Sequence, residues 1–322
     1  MTFSLIAVTL TMTGCAGKQS GFNNNSNGKY SVVCTIFPEY DWVKQIIGEN
    51  SEQFEVTLLL DNGVDLHSYQ PTAEDILKIS TCDLFIYVGG ESDEWVDEAL
   101  KESMNKDMRV IDAMEVLGDY VKEEELVEGM EAEDEHDDEE EEEKEYDEHV
   151  WLSLKNAVIL TDKISTELQA IDTEHQSVYA ANSEAYTDRL KSLDEAYKKA
   201  VAEGTKTTLL FADRFPFRYL TEDYQLDYYA AFAGCSAETE ASFETIVFLA
   251  GKLDELGLEN VLITENSDGK IADTVISNTK SKQQNILTMD SMQSTTGKDI
   301  KAGATYLSVM EKNLEVLREA VR

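Results

Sequence analysis

Short apolar runs alternate with amphipathic stretches along most of this chain. Runs rich in β-branched and aromatic residues, each ended by Gly, Pro or acidic residues, predict strands. These strands cover residues 30–37, 53–60, 83–88, 109–112, 207–211, 227–231, 261–264 and 285–289. Apolar residues at helical spacing lie between them and predict intervening helices. The repeated β-α-β order predicts two parallel sheets covered by helices.

Two segments separate the two β/α series. Residues 122–148 are mostly Glu and Asp, and residues 151–202 contain neither Gly nor Pro and predict long helical structure. We therefore predict an N-terminal lobe at 30–175 that includes the acidic loop 122–148, a linking helix at 176–203 and a C-terminal lobe at 204–322. The predicted fold class is α/β, with two parallel-sheet lobes joined by a long rigid helix. Ligands of such sheets bind beyond the carboxyl ends of the strands, which places a site between the lobes.

The charge of the chain is extreme and excludes some partners. Lys and Arg number 27 against 65 Asp and Glu, which gives a net charge of −38. Such a chain repels nucleic acid and anionic membrane surfaces and concentrates cations. The acidic run is either a solvated, self-repelling loop or a weak gatherer of cations, and the sequence favours neither.

The N-terminus predicts the compartment. Residues 5–13 are apolar or small and too short to span a bilayer, which is typical of a secretory signal. Gly14 and Cys15 then resemble a bacterial lipobox. We expect a signal peptide at 1–14, acylation of Cys15 and a flexible tether at 15–29, which makes the protein extracytoplasmic and lipid-anchored to the bacterial cell membrane. The alternative is an apolar tail with a chance cysteine.

Two of the four histidines fall in loops where metal ligands are expected. His67 follows the second predicted strand, and His149 stands where the acidic run meets the long helical segment. Acidic neighbours of each could orient its imidazole. A single loop histidine is more often an ordinary surface residue, so spacing alone leaves both readings open.

Both histidines lie in stretches that resemble one known family. GVDLHSYQPT at residues 63–72 is similar to the PGxDPHSYEPTP stretch of the zinc/manganese ABC-transporter substrate-binding proteins, and DEHVWLSLKNA at 147–157 is similar to their DPHVWLDPKNA stretch. The resemblance covers residues 30–321. It implies a protein that captures zinc and delivers it to the ABC permease and ATPase of one importer, with manganese as the alternative ion. It also implies a monomer that touches the membrane only through its lipid anchor.

The resemblance further implies four metal ligands, two from each lobe. Arg214 occupies the column of the third ligand but cannot bind a cation, so we expect its neighbour Asp213 to replace it. The predicted ligand set is His67, His149, Asp213 and Asp290. Three more acidic residues are expected to support the site without direct ligation: Asp65, Glu240 and Glu265. Two nitrogens with carboxylate oxygens suit zinc, and manganese tolerates the same donors.

Two other classes of function compete with metal delivery. A zinc hydrolase is disfavoured because the chain has no HExxH motif and four protein ligands leave no open position for water, so no enzyme is expected. An adhesin-like surface lipoprotein stays open as an alternative from a different class.

The cysteines are ambiguous. Cys34 and Cys82 fall near neighbouring strands and could form a disulfide or remain buried thiols. Cys235 could approach the site.

Overall fold

The computed structural model describes residues 28–130, 145–236 and 240–322. The predicted signal peptide, Cys15, nearly all of the tether and residues 131–144 of the acidic loop lie outside these residues. Their predicted roles therefore stay predictions.

The first half of the chain forms a four-stranded parallel sheet in the order β2-β1-β3-β4. Its strands are β1 (Tyr30–Cys34), β2 (Phe54–Leu58), β3 (Leu84–Tyr87) and β4 (Arg109–Asp112). The helices of this half are α1 (Phe37–Ile47), α2 (Ala73–Thr81), α3 (Trp95–Lys101), α4 (Ala113–Leu117) and α5 (Leu154–Ile171).

The second half repeats this plan, with a parallel sheet in the order β6-β5-β7-β8. Its strands are β5 (Thr208–Phe215), β6 (Asp227–Ala233), β7 (Asn260–Thr264) and β8 (Asn285–Met289). Its helices are α7 (Arg218–Tyr224), α8 (Phe243–Leu256), α9 (Lys270–Asn278), α10 (Gly297–Lys301) and α11 (Tyr306–Ala320). The predicted α/β class with two parallel-sheet lobes is confirmed.

Helix α6 (Gln176–Glu203) joins the two sheets and packs against both halves. The Asn182 side chain donates to the Ile46 carbonyl of the first half at 2.8 Å, and the Tyr197 hydroxyl donates to the Met310 carbonyl of the second half at 2.6 Å. One continuous apolar core includes residues of both halves. These contacts tie the lobes together and favour small relative movements over free hinge bending.

The structure departs from the predicted elements at two places that matter. The expected long helical stretch is broken at residues 172–175, because Asp172 leaves helical geometry and its carboxylate accepts hydrogen bonds from Tyr179 and His175. Strand β5 runs four residues beyond its predicted end, through a bulge between Phe211 and Arg214. That extension changes which residues reach the edge of the second sheet.

No helix within the described ranges combines the length and the apolar character needed to cross a lipid bilayer.

Candidate metal centre

His67 lies in a short 3-10 turn after β2, and its imidazole is held from one side. The turn is capped by Asp65, whose carboxylate accepts the backbone N–H of His67 at 3.1 Å. The Nδ1 atom of His67 lies 2.8 Å from the Ser92 hydroxyl and 3.3 Å from Glu148 Oε2. Binding of Nδ1 to this acid and hydroxyl leaves Nε2 free to face the gap between the lobes.

Glu148 is buried behind His67, and its carboxylate packs so close to the backbone of Gly90 that only glycine fits there. Its Oε1 atom accepts the backbone N–H of Ser92 at 2.8 Å. Gly90 has a φ of +82°, and a Cβ there would stand 2.4 Å from the same carboxylate oxygen. Burial alone would raise the pKa of Glu148, but hydrogen bonds from His67 and Ser92 outweigh it and lower that pKa. Glu148 is therefore an anion held against His67.

His149 is fully buried at the point where the chain enters α5. One carboxylate oxygen of Asp147 accepts its backbone N–H at 2.8 Å and lies 3.0 Å from its Nδ1. Burial by itself would lower the pKa of His149, but the charge and hydrogen bond of Asp147 raise it overall. As with His67, the carboxylate fixes Nδ1 as the donor and leaves the lone pair of Nε2 available.

The two Nε2 atoms converge on one point. They lie 3.3 Å apart, and the side-chain amide nitrogen of Gln293 stands 3.3 Å from that of His67 and 2.5 Å from that of His149. Tetrahedral zinc with nitrogens at about 2.0–2.1 Å requires a separation of ~3.3 Å between two of its ligand atoms. The imidazoles already have the spacing of two ligands of one ion.

A third ligand-type side chain reaches the same point. The ligand atoms of His67, His149 and Cys235 all lie within 4.8 Å of one another. Among the described residues, these three form a group that could hold a metal ion. Cys235 follows β6, and Gln293 follows β8, so both come from carboxyl ends of the second sheet. The site lies between the lobes, as the topology predicts.

Asp213 and Asp290 are not in this group. Asp213 Oδ2 accepts hydrogen bonds from the backbone N–H and hydroxyl of Thr264 at 3.0 and 2.9 Å, and its Oδ1 accepts the Arg214 N–H at 2.8 Å. Asp290 Oδ1 accepts the Met292 N–H at 2.8 Å. Burial and the nearby Glu265 raise the pKa of Asp290 to about 6. Ligation by these two carboxylates stays a prediction.

The three acidic residues expected to support the site have different surroundings. Asp65 forms an ion pair with Arg214, with 3.2 Å between Oδ2 and the guanidinium, and so links the lobes. Glu265 accepts from the Ser291 N–H, the Ser291 hydroxyl and the Ser294 hydroxyl, which anchors the loop that carries Gln293. Glu240 is exposed.

Gln293 was missed because an amide is an unusual metal ligand, although it stands three residues after the predicted Asp290. The signal that could have found it is its place after a strand end, in the loop that follows β8.

A cavity of about 280 Å³ opens onto the site. Its walls include His67 and Cys235 together with Glu91, Glu124, Glu145 and Glu148. The two ends of the acidic loop pair at this mouth, where the Glu124 N–H donates to the Glu145 carbonyl at 3.0 Å and the Asp147 N–H donates to the Lys122 carbonyl at 2.9 Å. The entrance is therefore lined by carboxylates that attract cations.

Comparison with known families identifies the chain. A family model described as "Zinc-uptake complex component A periplasmic" matches residues 32–320. The chain belongs to this family. The predicted resemblance is thereby confirmed, and the match extends over both lobes and the linking helix.

Individual relatives agree with this placement. The chain is 32% identical over 297 residues to the zinc-binding lipoprotein AdcA of Streptococcus pneumoniae R6, covering 91% of this chain and 56% of the relative. The chain thus spans about half the length of the curated relatives it matches first. It is 29% identical to the high-affinity zinc uptake system protein ZnuA of Bacillus subtilis, covering 99% of this chain and 96% of that protein.

A solved structure shares the fold. The Zn(II)-bound ZnuA-like domain of Streptococcus pneumoniae AdcA superposes with a TM-score of 0.70 at 28% identity, covering 91% of this chain and 99% of that domain.

Proposed function

We propose that this protein is the substrate-binding component of an ABC importer, which captures a zinc ion outside the cytoplasm and delivers it to the membrane permease. The observation that supports it most is the 3.3 Å between the Nε2 atoms of His67 and His149, with both Nδ1 atoms held by carboxylates. Imidazoles whose Nδ1 atoms are held in this way already have the orientation that a metal ion requires.

The relatives support the choice of ion and of partner. Their names include zinc-binding lipoprotein and high-affinity zinc uptake system protein, and the family is not a class of enzymes. The importer's permease and ATPase are the partners we propose, with a lipid anchor on Cys15 holding the protein at the membrane. Manganese remains the competing ion to be tested.

Metal content measured by elemental mass spectrometry tests the proposal. The full chain is dialysed against equimolar zinc and manganese, and we expect about one zinc per chain. His67→Ala should lose that ion, whereas the control His175→Ala should keep it, because His175 bonds Asp172 next to α6 and lies outside the site. Stoichiometric manganese would reassign the cargo. The absence of any stoichiometric metal would refute the site.

A further inference from the structure

Cys235 and Gln293 are the second-lobe side chains that meet the two imidazoles, and Cys235 is the one with a sulfur donor. Its sulfur lies within 4.8 Å of the ligand nitrogens of both His67 and His149. We propose that Cys235 binds the captured ion as a thiolate, and that this sulfur selects zinc over manganese. The proposal rests on the function proposed above and adds to it the third ligand and the basis of metal choice.

The length of two strands delivers Cys235 to the site. After the bulge in β5, Arg214 pairs with Phe232 and Phe215 pairs with Ala233, so β5 and β6 stay hydrogen-bonded to their common end. Strand β6 stops at Ala233, and the chain turns at once through Gly234 and Cys235. The thiol is thereby carried to the carboxyl edge of the sheet, where the imidazoles from the first lobe meet it.

Gly234 allows the turn to contact His149 directly. A Cβ at Gly234 would stand 2.8 Å from the Phe215 carbonyl oxygen and 3.0 Å from Cε1 of the His149 ring. Any larger residue would push the turn away from the imidazole. Glycine at this position therefore sets the distance between the sulfur and the histidines.

The contacts around the turn fix it from both lobes. The Cys235 N–H donates to Glu124 Oε1 at 3.4 Å, and the Arg214 guanidinium donates to the Ser236 carbonyl at 3.5 Å while it pairs with Asp65. The Arg214 side chain therefore connects the turn that carries Cys235 with the turn that carries His67.

The other two described cysteines have no such surroundings. Cys34 and Cys82 are free, fully buried thiols of the first lobe, and the Cys82 thiol donates to the Ile79 carbonyl. Cys235 is partly exposed and lines the cavity that opens onto the site. It is the described cysteine that an incoming ion can reach.

The chemical softness of the donor atoms determines which metal ion the site prefers. Two imidazoles and a thiolate are donors that zinc accepts in tetrahedral sites, and the Gln293 amide oxygen can fill the fourth position after rotation of the amide. Manganese favours oxygen ligands, and thiolate is a soft donor. The carboxylate of Asp213, one of the two oxygen donors predicted for this lobe, already accepts hydrogen bonds from Thr264 and Arg214.

Cobalt substitution tests the sulfur directly, because a thiolate bound to Co²⁺ gives a ligand-to-metal charge-transfer band in the near ultraviolet. We expect the Co²⁺-loaded full chain to show this band, and Cys82→Ala to keep it. Cys235→Ser should bind one Co²⁺ without the band. Cys235→Asp, which retains a ligand, serves as the second variant if the serine form folds poorly.

Competition between zinc and manganese tests the selectivity. Cys235→Ser should lower zinc affinity by at least about tenfold and change manganese affinity far less, and Cys235→Asp should raise manganese affinity. A band that survives in both variants, or one ion bound to the native chain without any band, would overturn the role of Cys235 and leave the proposed function standing. Failure of the native chain to bind any ion would overturn the proposed function itself.

Discussion

The two lobes contribute to the candidate site in different ways. The first lobe supplies two imidazoles whose Nδ1 atoms contact buried carboxylates, Glu148 behind His67 and Asp147 behind His149. The second lobe supplies a thiol and an amide from loops, Cys235 and Gln293. The histidines are thus fixed by charge and burial, whereas the second-lobe donors are fixed by strand length and by loop anchors such as Glu265.

This difference indicates a division of labour. Oriented imidazoles bind many divalent ions, so the first lobe determines where an ion sits. The chemical nature of the second-lobe donors, sulfur or oxygen, determines which ion is preferred. Changes in the first lobe should therefore abolish binding, and changes in the second should shift affinity or selectivity.

The largest effect is expected from His149→Ala. Apparent zinc-binding free energies of about 12 kcal/mol shared among four ligands assign about 3 kcal/mol to each, so zinc affinity should fall by more than about 100-fold. Calorimetric titration of the metal-free protein with zinc measures this. Zinc binding within about tenfold of the native value would contradict the first-lobe assignment.

A smaller change is expected at Gln293. Gln293→Leu removes a neutral donor and should weaken zinc binding by about tenfold, while Gln293→Glu supplies a charged oxygen and should raise affinity for both zinc and manganese. Competition with a chromophoric chelator reports both constants. The exposed Gln283→Leu is the matched control, and equal behaviour of the Leu and Glu variants would exclude Gln293 as a ligand.

Asp213→Asn distinguishes between two roles of Asp213, the metal ligand predicted from the sequence and the hydrogen-bond acceptor seen in β5. We expect zinc affinity to stay within about tenfold of the native value, because the carboxylate faces Thr264. The free energy of unfolding should fall by about 1–3 kcal/mol, because one amide group cannot accept from all three donors. A loss of zinc affinity above about 100-fold with unchanged stability would restore Asp213 as a ligand.

The smallest effect on zinc affinity is expected at Glu39, a buried acid of the first lobe whose substitution should change stability instead. Burial, followed by the charge of Asp93, raises the pKa of Glu39 to about 8. The folded state therefore retains a proton that the unfolded chain releases near pH 4.3, so the contribution of Glu39 to stability is greatest below that pH and declines as the pH rises toward 8.

Glu39→Gln removes this titration. The free energy of unfolding of the metal-free protein is measured by chemical denaturation between pH 5 and 8. It should fall by up to about 1.4 kcal/mol per pH unit in the native chain and by less in the variant. The exposed Glu49→Gln should follow the native chain. Parallel profiles for native and Glu39→Gln protein would show that Glu39 is ionised in the folded state.

Much of the architecture followed from local pattern. Strands β4 and β8 lie where the alternation of apolar runs predicted them, and the other strands differ by a few residues at their ends. The helix break at Asp172 was not predictable from the absence of Gly and Pro, because it depends on a carboxylate that bonds to side chains of the next helix. Hydrogen bonds of this kind cannot be predicted from the residue composition of the segment.

The sequence by itself determined the α/β class, the acidic character and the two histidine motifs, because these depend on residue type and short-range spacing. Tertiary structure decided which side chains of the second lobe meet those histidines. Cys235 and Gln293 follow the ends of β6 and β8, whereas Asp213 lies within the bulge of β5, where its carboxylate bonds to Thr264 and Arg214. Strand register thus places these three side chains differently. Local patterns do not encode that register, because it results from the packing of two sheets against a shared core.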